Sequence, residues 1–197
     1  MGIIPSIQPT HATSDMAYAH ARLGSTRLSN SAYRMKSLFP SPSKQHSYPG
    51  PVLSSDFPVE PASPFHGIYS AITRLSPATG ISPSGDKGWY PDEKLSMEQA
   101  ILGFTRNAGY GWGLEEKVGA IEVGKWADWI VIDADIWGMK DGKGLRELAV
   151  KETWVGGKRV FKLGVDLEVS REERWWEKLS NIIAGPQDKS GFGLVDL

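Results

Sequence analysis

Two residues, His11 and Asp56, invite chemistry by their type and their place. Asp56 closes the run Pro51-Val52-Leu53-Ser54-Ser55-Asp56, directly before Phe57-Pro58. His11 follows the β-branched run Ile3-Ile4-Pro5-Ser6-Ile7 and stands where a helical pattern begins. A carboxylate at the end of a buried strand can ligate a metal, act as a general base, or simply form a turn. Taken alone, Asp56 in Ser-Ser-Asp-Phe-Pro also fits an Asx-turn or a cap, and both readings stay open. Polar residues at the carboxyl ends of two strands, each leading into a helix, are how α/β sheets build sites.

The other candidates are weaker. His20 sits in a helical pattern, His46 in a proline-rich loop, and His66 just before a helix, all read as surface or capping residues. No two histidines have a spacing that would put both imidazoles on one metal from one element. Asp128, Asp133 and Asp135 read as turn and edge residues. The chain has no cysteine, which excludes disulfides and thiolate zinc sites. It also lacks a Gly-x-Ser-x-Gly elbow and a phosphate-binding loop. Gly109-Tyr110-Gly111-Trp112-Gly113 follows a helix rather than a strand and is no nucleotide fingerprint.

The elements that must position these residues alternate in type. A strand is expected over 2–8. A helix then starts from Thr13 or Ser14, with Asp15 in its first turn, Met16, Ala19 and Leu23 on its apolar stripe, and Gly24 ending it. Another helix is expected from Ser29 or Ser31, carrying Ala32, Met35 and Leu38. Residues 40–51 form a loop, and Val52-Leu53 a brief strand. Ile68, Ile72 and Leu75 mark a helix over 67–75, and Ser96 with Gln99 gives a capping box for the next. From Val118 the texture turns strand-rich, with Trp129–Asp133 as a nearly continuous apolar strand suited to a sandwich or sheet core. A hairpin is expected around Gly156-Gly157, and Ser170 with Glu173 opens a terminal helix. All eight tryptophans lie between residues 89 and 176, so the second half is compositionally distinct.

Composition narrows the function classes. The 197 residues suit one ordinary domain or little more. Gly 22 and Pro 13 make up about 18% of the chain against roughly 12% in average usage, so a loop-rich structure is expected. Lys+Arg 22 against Asp+Glu 23 gives no basic surface for nucleic acid. No stretch approaches the ~20 apolar residues of a membrane span, and the first residues do not read as a signal peptide. A cytoplasmic location is the expectation.

Four stretches resemble the amidohydrolase superfamily, and within it the amidohydrolase-3 group that includes N-substituted formamide deformylases. They are SIQPTHATSDM (6–16), SSDFPVEPASPFHGIYSAITR (54–74), LSMEQAILGFTRNAGYGWGLEEKVGAIEVGKWADWIVIDADIW (95–137) and ETWVGGKRVF (152–161). The resemblance implies a (β/α)8 barrel with a metal site at the carboxyl ends of its strands, plus a small β-sandwich. It maps Asp56 onto the aspartate ending the last barrel strand, which in the group contacts the metal and takes a proton from the attacking water. It places His11 after the seventh strand, as a substrate contact.

On this reading residues 1–117 are the carboxyl-terminal part of the barrel, 118–165 part of the sandwich, and 166–197 a terminal helix and tail. The group's His-x-His pair, bridging Lys or acid, and further His ligands have no counterpart here. The expectation is therefore a truncated, metal-dependent hydrolase of non-peptide carbon–nitrogen bonds, its metal (zinc by family expectation) held incompletely. The substrate would be a small amide-like molecule, with no nucleic acid or membrane partner, and a homo-oligomer stays open. The alternatives are a non-catalytic binding or scaffold module and an inactive gene fragment.

Overall fold

The computed structural model describes residues 3–40 and 48–164. His46 and the terminal helix expected from Ser170 lie outside them. Residues up to Leu163 form one compact unit. Its chain order is β1 (Ser6–Ile7), α1 (Pro9–Asp15), α2 (Ala19–Asn30), β2 (Val52–Leu53), α3 (Pro64–Thr73), α4 (Met97–Phe104), α5 (Arg106–Gly111), β3 (Trp129–Ile132), β4 (Val150–Val155) and β5 (Lys158–Lys162). The architecture is mixed α/β. Among the described residues no helix is long and apolar enough to cross a membrane.

β1 and β2 pair in parallel, with Ser6 opposite Val52 and Ile7 opposite Leu53. The ladder extends by one bond at each end, from Val52 N to Pro5 O at 2.9 Å and from Ser54 N to Ile7 O at 3.0 Å. The strand expected over 2–8 is thus much shorter than its apolar run. Pro5 and Pro9 flank it, and neither can donate to a ladder. Pro9 instead starts α1 as its first residue, with Gln8 extended before it. That proline carries the helical φ without needing an N–H partner. The helix therefore begins four residues before the cap expected at Thr13.

Asp15 is consequently the last residue of α1, not a first-turn acid. The stripe Met16, Ala19 and Leu23 does face the core, although a break after α1 splits it between two helices. Gly24, at φ 74° and ψ 162°, is non-helical and breaks α2 into two helical pieces, so the first piece ends where expected. The helix expected from Ser29 or Ser31 does not form. Tyr33 sits at φ 53°, and residues Lys36–Leu38 make a single 3-10 turn.

The helices pack on the strand pair through glycine faces. A Cβ at Gly103 of α4 would lie 2.4 Å from Leu53 Cγ, and one at Gly111 of α5 2.7 Å from Val52 Cγ2. Between them, buried Asn107 donates from Nδ2 to Pro51 O at 3.1 Å, holding the start of β2. α1 meets α3 through Ala12 and Thr13, with the Thr13 and Ser70 hydroxyls 3.2 Å apart. Ser96 and Gln99 make both bonds of the expected capping box.

β3, β4 and β5 form an antiparallel three-stranded sheet in that order. Trp129 and Trp154 stack across it at 5.5 Å and 23°. Gly156 and Gly157, both at positive φ, make the expected hairpin turn. The core reading of Trp129–Asp133 needs correction: Ile130 and Val131 are 47% and 40% exposed. Ile132 of β3 and Val150 of β4 are the residues of this sheet that pack against the core.

Replacing Gly103 with alanine tests the closest approach in the unit. Leu53 is only 2% exposed, so it has little room to retreat, and overpacking of this kind costs about 1–3 kcal/mol. A thermal melt should show Gly103→Ala several degrees below the parent. An unchanged midpoint would mean that α4 does not seat on β2 as described.

Candidate functional site

His11 and Asp56 come to the same edge because their strands run in parallel. β1 and β2 both end toward that edge, and each candidate follows its strand by a few residues. α1 and the 54–60 segment are tied together there. The Ser14 hydroxyl has Glu60 Oε1 and Thr10 O each at 3.0 Å as acceptors.

Asp56 is exposed and sits at φ 52°, a left-handed backbone that aspartate tolerates better than most residues. Its carbonyl accepts from Val59 N at 2.9 Å, closing a tight turn, so the chain leaves β2 bent rather than extended. The turn-former reading therefore describes its backbone, while its carboxylate faces solvent at the strand edge.

His11 lies within the first turn of α1 rather than ahead of it. Nδ1 is 2.9 Å from the Gln8 side-chain oxygen, and Nε2 is 3.3 Å from Asp15 Oδ2. The same Asp15 oxygen accepts the Tyr33 hydroxyl at 2.7 Å, and Oδ1 accepts the Tyr18 hydroxyl. Burial and the adjoining Asp15 carboxylate push the Tyr33 phenol up to about 12. Tyr18 is also raised, chiefly by its hydrogen bond to Asp15. Both tyrosines thus stay protonated and donating at neutral pH.

Sequence reasoning missed Asp15, Gln8 and Tyr33 as members of this group. Gln8, His11 and Asp15 are three and four residues apart, the spacing of neighbours on one helix face. That signal was present but was read against a helix start placed too late. Tyr33 had no local signal, because the chain must turn back to bring it to Asp15.

Tyr33 is held by a buried arginine. Arg74, 1% exposed, donates from Nε to Trp89 O at 2.7 Å and from Nη1 to Tyr33 O at 3.0 Å. Its guanidinium lies 5.3 Å from the Trp89 ring centroid, and Tyr33 packs on the same ring at 5.2 Å. Burial pulls the guanidinium down to about 10, leaving it charged at neutral pH. The Glu93 carboxylate partly offsets this, raising the guanidinium by its charge. Glu93 also accepts from the N–H groups of Met35 at 2.9 Å and Ser37 at 3.0 Å. Burial works to raise the Glu93 carboxyl, but the Ser37 and Met35 donors and Arg34 outweigh it and hold the group below its ordinary value.

The remaining candidates keep to structural roles. His66 falls inside α3, with Nε2 3.3 Å from Arg146 O, and His20 is exposed on α2. Asp128 accepts from Gly156 N at 2.7 Å, Asp133 pairs with Lys151 at 3.7 Å, and Asp135 caps the turn at Trp137. Two clefts lie elsewhere. One is apolar, between Phe104, Trp112, Leu114 and Trp129; the other is polar, between Tyr48, Arg106, Tyr110 and Glu115. Neither is lined by His11 or Asp56.

Among the described residues, no group of three or more His, Cys, Asp or Glu side chains could hold a metal ion. The donors at the strand edge do not fit a metal by themselves. Asp56 stands alone, and both nitrogens of His11 are engaged by Gln8 and Asp15.

Comparison with known proteins gives a consistent family assignment. The Amidohydrolase family model (Amidohydro_3) matches residues 1–161. The chain is 30% identical to Protein LONG AFTER FAR-RED 3 of Arabidopsis thaliana, over 81% of its own length and 25% of that protein's. It is 31% identical to the putative amidohydrolase YtcJ of Bacillus subtilis, over 82% and 28%. The N-substituted formamide deformylase of Arthrobacter pascens is 32% identical, over 53% and 18%. A crystal structure of an uncharacterized metal-dependent hydrolase from Pyrococcus horikoshii superposes with a TM-score of 0.56 at 26% identity, covering 72% of this chain and 26% of that one. The chain thus spans about a quarter of the length of the first two relatives.

The Glu93 contacts make a pH prediction. Its folded pKa is depressed, so its contribution is complete above the unfolded value near 4.5 and is lost as pH falls through the lower folded value. Glu93→Gln should flatten the acid limb of stability below about pH 5. Denaturant midpoints collected from pH 7 to pH 3 check this; parallel acid limbs in the two proteins would refute it.

Proposed function

Because the chain belongs to the amidohydrolase family, we propose that it serves in hydrolysis of a non-peptide carbon–nitrogen bond. In this reading residues 1–117 supply the last two strands and helices of a (β/α)8 barrel, and 118–165 supply part of a β-sandwich. The observation that carries it is the parallel pair β1–β2, which brings His11 and Asp56 to one carboxyl edge inside a stretch matched by the family model. Asp56 is the catalytic carboxylate this chain contributes, and His11 a substrate contact. The substrate is a small amide-like molecule, and the location cytoplasmic.

Metal dependence enters the proposal from the Pyrococcus neighbour, whose description names a metal-dependent hydrolase. Zinc is the family expectation. The described residues do not complete a metal site, so the proposal assigns this chain a share of a site and gives it no metal-borne step of its own. The same observation supports a second reading, a non-catalytic module of the family.

One experiment separates the two. Residues 1–162 replace the aligned quarter of the Bacillus relative, and release of amine from N-substituted formamides is followed in this chimera and in its Asp56→Asn variant. Loss of a positioned acid–base group costs roughly 10²–10⁴-fold in rate, so a drop of at least about 10²-fold at unchanged folding is expected. Equal rates would favour the non-catalytic module. The 197-residue chain alone should retain zinc only substoichiometrically after dialysis and show no turnover. Robust turnover by it would overturn the shared-site reading.

A further inference from the structure

We propose that Asp15 is a positioning residue for His11, holding its imidazole at the carboxyl edge of β1 with the proton on Nε2. Its functional meaning rests on the reading of His11 as a substrate contact. Its physical content stands on the geometry alone.

A tyrosine hydroxyl donates to each oxygen of the Asp15 carboxylate, from Tyr33 and from Tyr18. A carboxylate so engaged acts as an acceptor only, so the ring nitrogen facing it is electrostatically favoured to carry the hydrogen. That nitrogen is Nε2, at 3.3 Å. The other ring nitrogen faces the Gln8 side-chain amide, which can turn either its oxygen or its NH2 toward Nδ1. Gln8 therefore accommodates whichever state Asp15 imposes. A second polar group that fixes the tautomer and aim of a histidine is a recurrent device at functional sites.

Burial separates this arrangement from an ordinary surface pair. The Asp15 side chain is 13% exposed and the His11 ring 47%, so the orienting group is covered while the oriented one is open. Asp15 also occupies the last position of α1, where the helix dipole disfavours an anion. The tyrosine donors and His11 offset that. Tyr33 reaches it from 18 residues away because its left-handed backbone is fixed by Arg74 and Trp89. A continuous chain of contacts thus runs from the buried guanidinium through Tyr33 and Asp15 to an exposed imidazole.

The test reads the ring directly. Long-range 1H–15N spectra of the full 197-residue chain, labelled at histidine, are recorded in mildly alkaline buffer, and His11→Gln assigns the His11 signals. The parent should show one tautomer, with its proton on Nε2. Asp15→Asn offers either a donor or an acceptor, and should raise the Nδ1–H share by up to roughly five-fold, the upper end for a partly exposed charged contact. Tyr33→Phe keeps the carboxylate but removes a restraint, and should move the ratio the same way by less. A merely structural Asp15 would disturb neighbouring backbone amides and leave the tautomer ratio alone.

Mixed tautomers in the parent, or a ratio unmoved by Asp15→Asn, overturn the proposal. If Asp15→Asn disturbs the amide spectrum throughout, Tyr33→Phe decides: a raised ratio supports the assignment and an unmoved one overturns it. No hydrolysis is involved. A chimera without activity would overturn the functional reading and leave the role of Asp15 standing or falling on the spectra.

Discussion

The parallel pairing of β1 with β2 is the constraint on which the candidate site depends. Only two residue pairs of ladder join them, and a two-stranded sheet of that length has little stability of its own. The ladder persists because the side chains of β2 lie directly against the backbones of the helices that follow. Gly103 and Gly111 admit Leu53 and Val52 at distances no side chain would allow, and Asn107 caps the carbonyl of Pro51. Were the strands antiparallel, the residues that follow them would leave at opposite ends, and His11 and Asp56 could not share an edge.

A second interaction, the buried Arg74, holds the Tyr33 backbone whose side chain meets Asp15. Its guanidinium donates to two backbone carbonyls and lies over Trp89, which compensates part of the cost of burial. Arg74 and Tyr90 are themselves left-handed, as is Tyr33, and all three meet around Trp89. Each such backbone costs of order 1 kcal/mol or more. Clustering three of them around one tryptophan makes sense only if the surrounding contacts over-determine the local shape. The shape they hold is the one that delivers the Tyr33 hydroxyl to Asp15.

What the sequence made legible follows the range of the forces involved. The capping box at Ser96 and Gln99 and the hairpin at Gly156-Gly157 are local devices, and both are found where the residues indicated. The amphipathic helix after Ser63 is present as well, although it starts three residues earlier, at Pro64 rather than Gly67. The segment 29–39 misled because its apolar spacing suits a helix, while its geometry is imposed from afar. Glu93 takes the N–H groups of Met35 and Ser37 across 58 and 56 residues, and Arg74 takes the carbonyl of Tyr33 across 41. A local pattern cannot carry such information. His11 and Asp56 were legible as candidates because strand ends are local; Asp15 and Tyr33 were not, because their association needs the packed unit.

The surface left by this packing bears on the family reading. Parallel strands are ordinarily buried in larger sheets with both faces covered, yet among the described residues β1 and β2 pair only with each other. Ile130 and Val131 of β3 are open on the other sheet, and Trp112 and Ile121, which line the apolar cleft with Ile130, are 74% and 84% exposed. Unpaired edges on the β1–β2 pair and open apolar residues on and beside β3 are surfaces that proteins ordinarily cover. Such cover is what the proposed barrel and sandwich would supply. It also explains why the metal question separates from the fold question. Packing can be well determined by the residues of one segment, whereas a metal site needs donors converging from several strands, and among the described residues no such group converges.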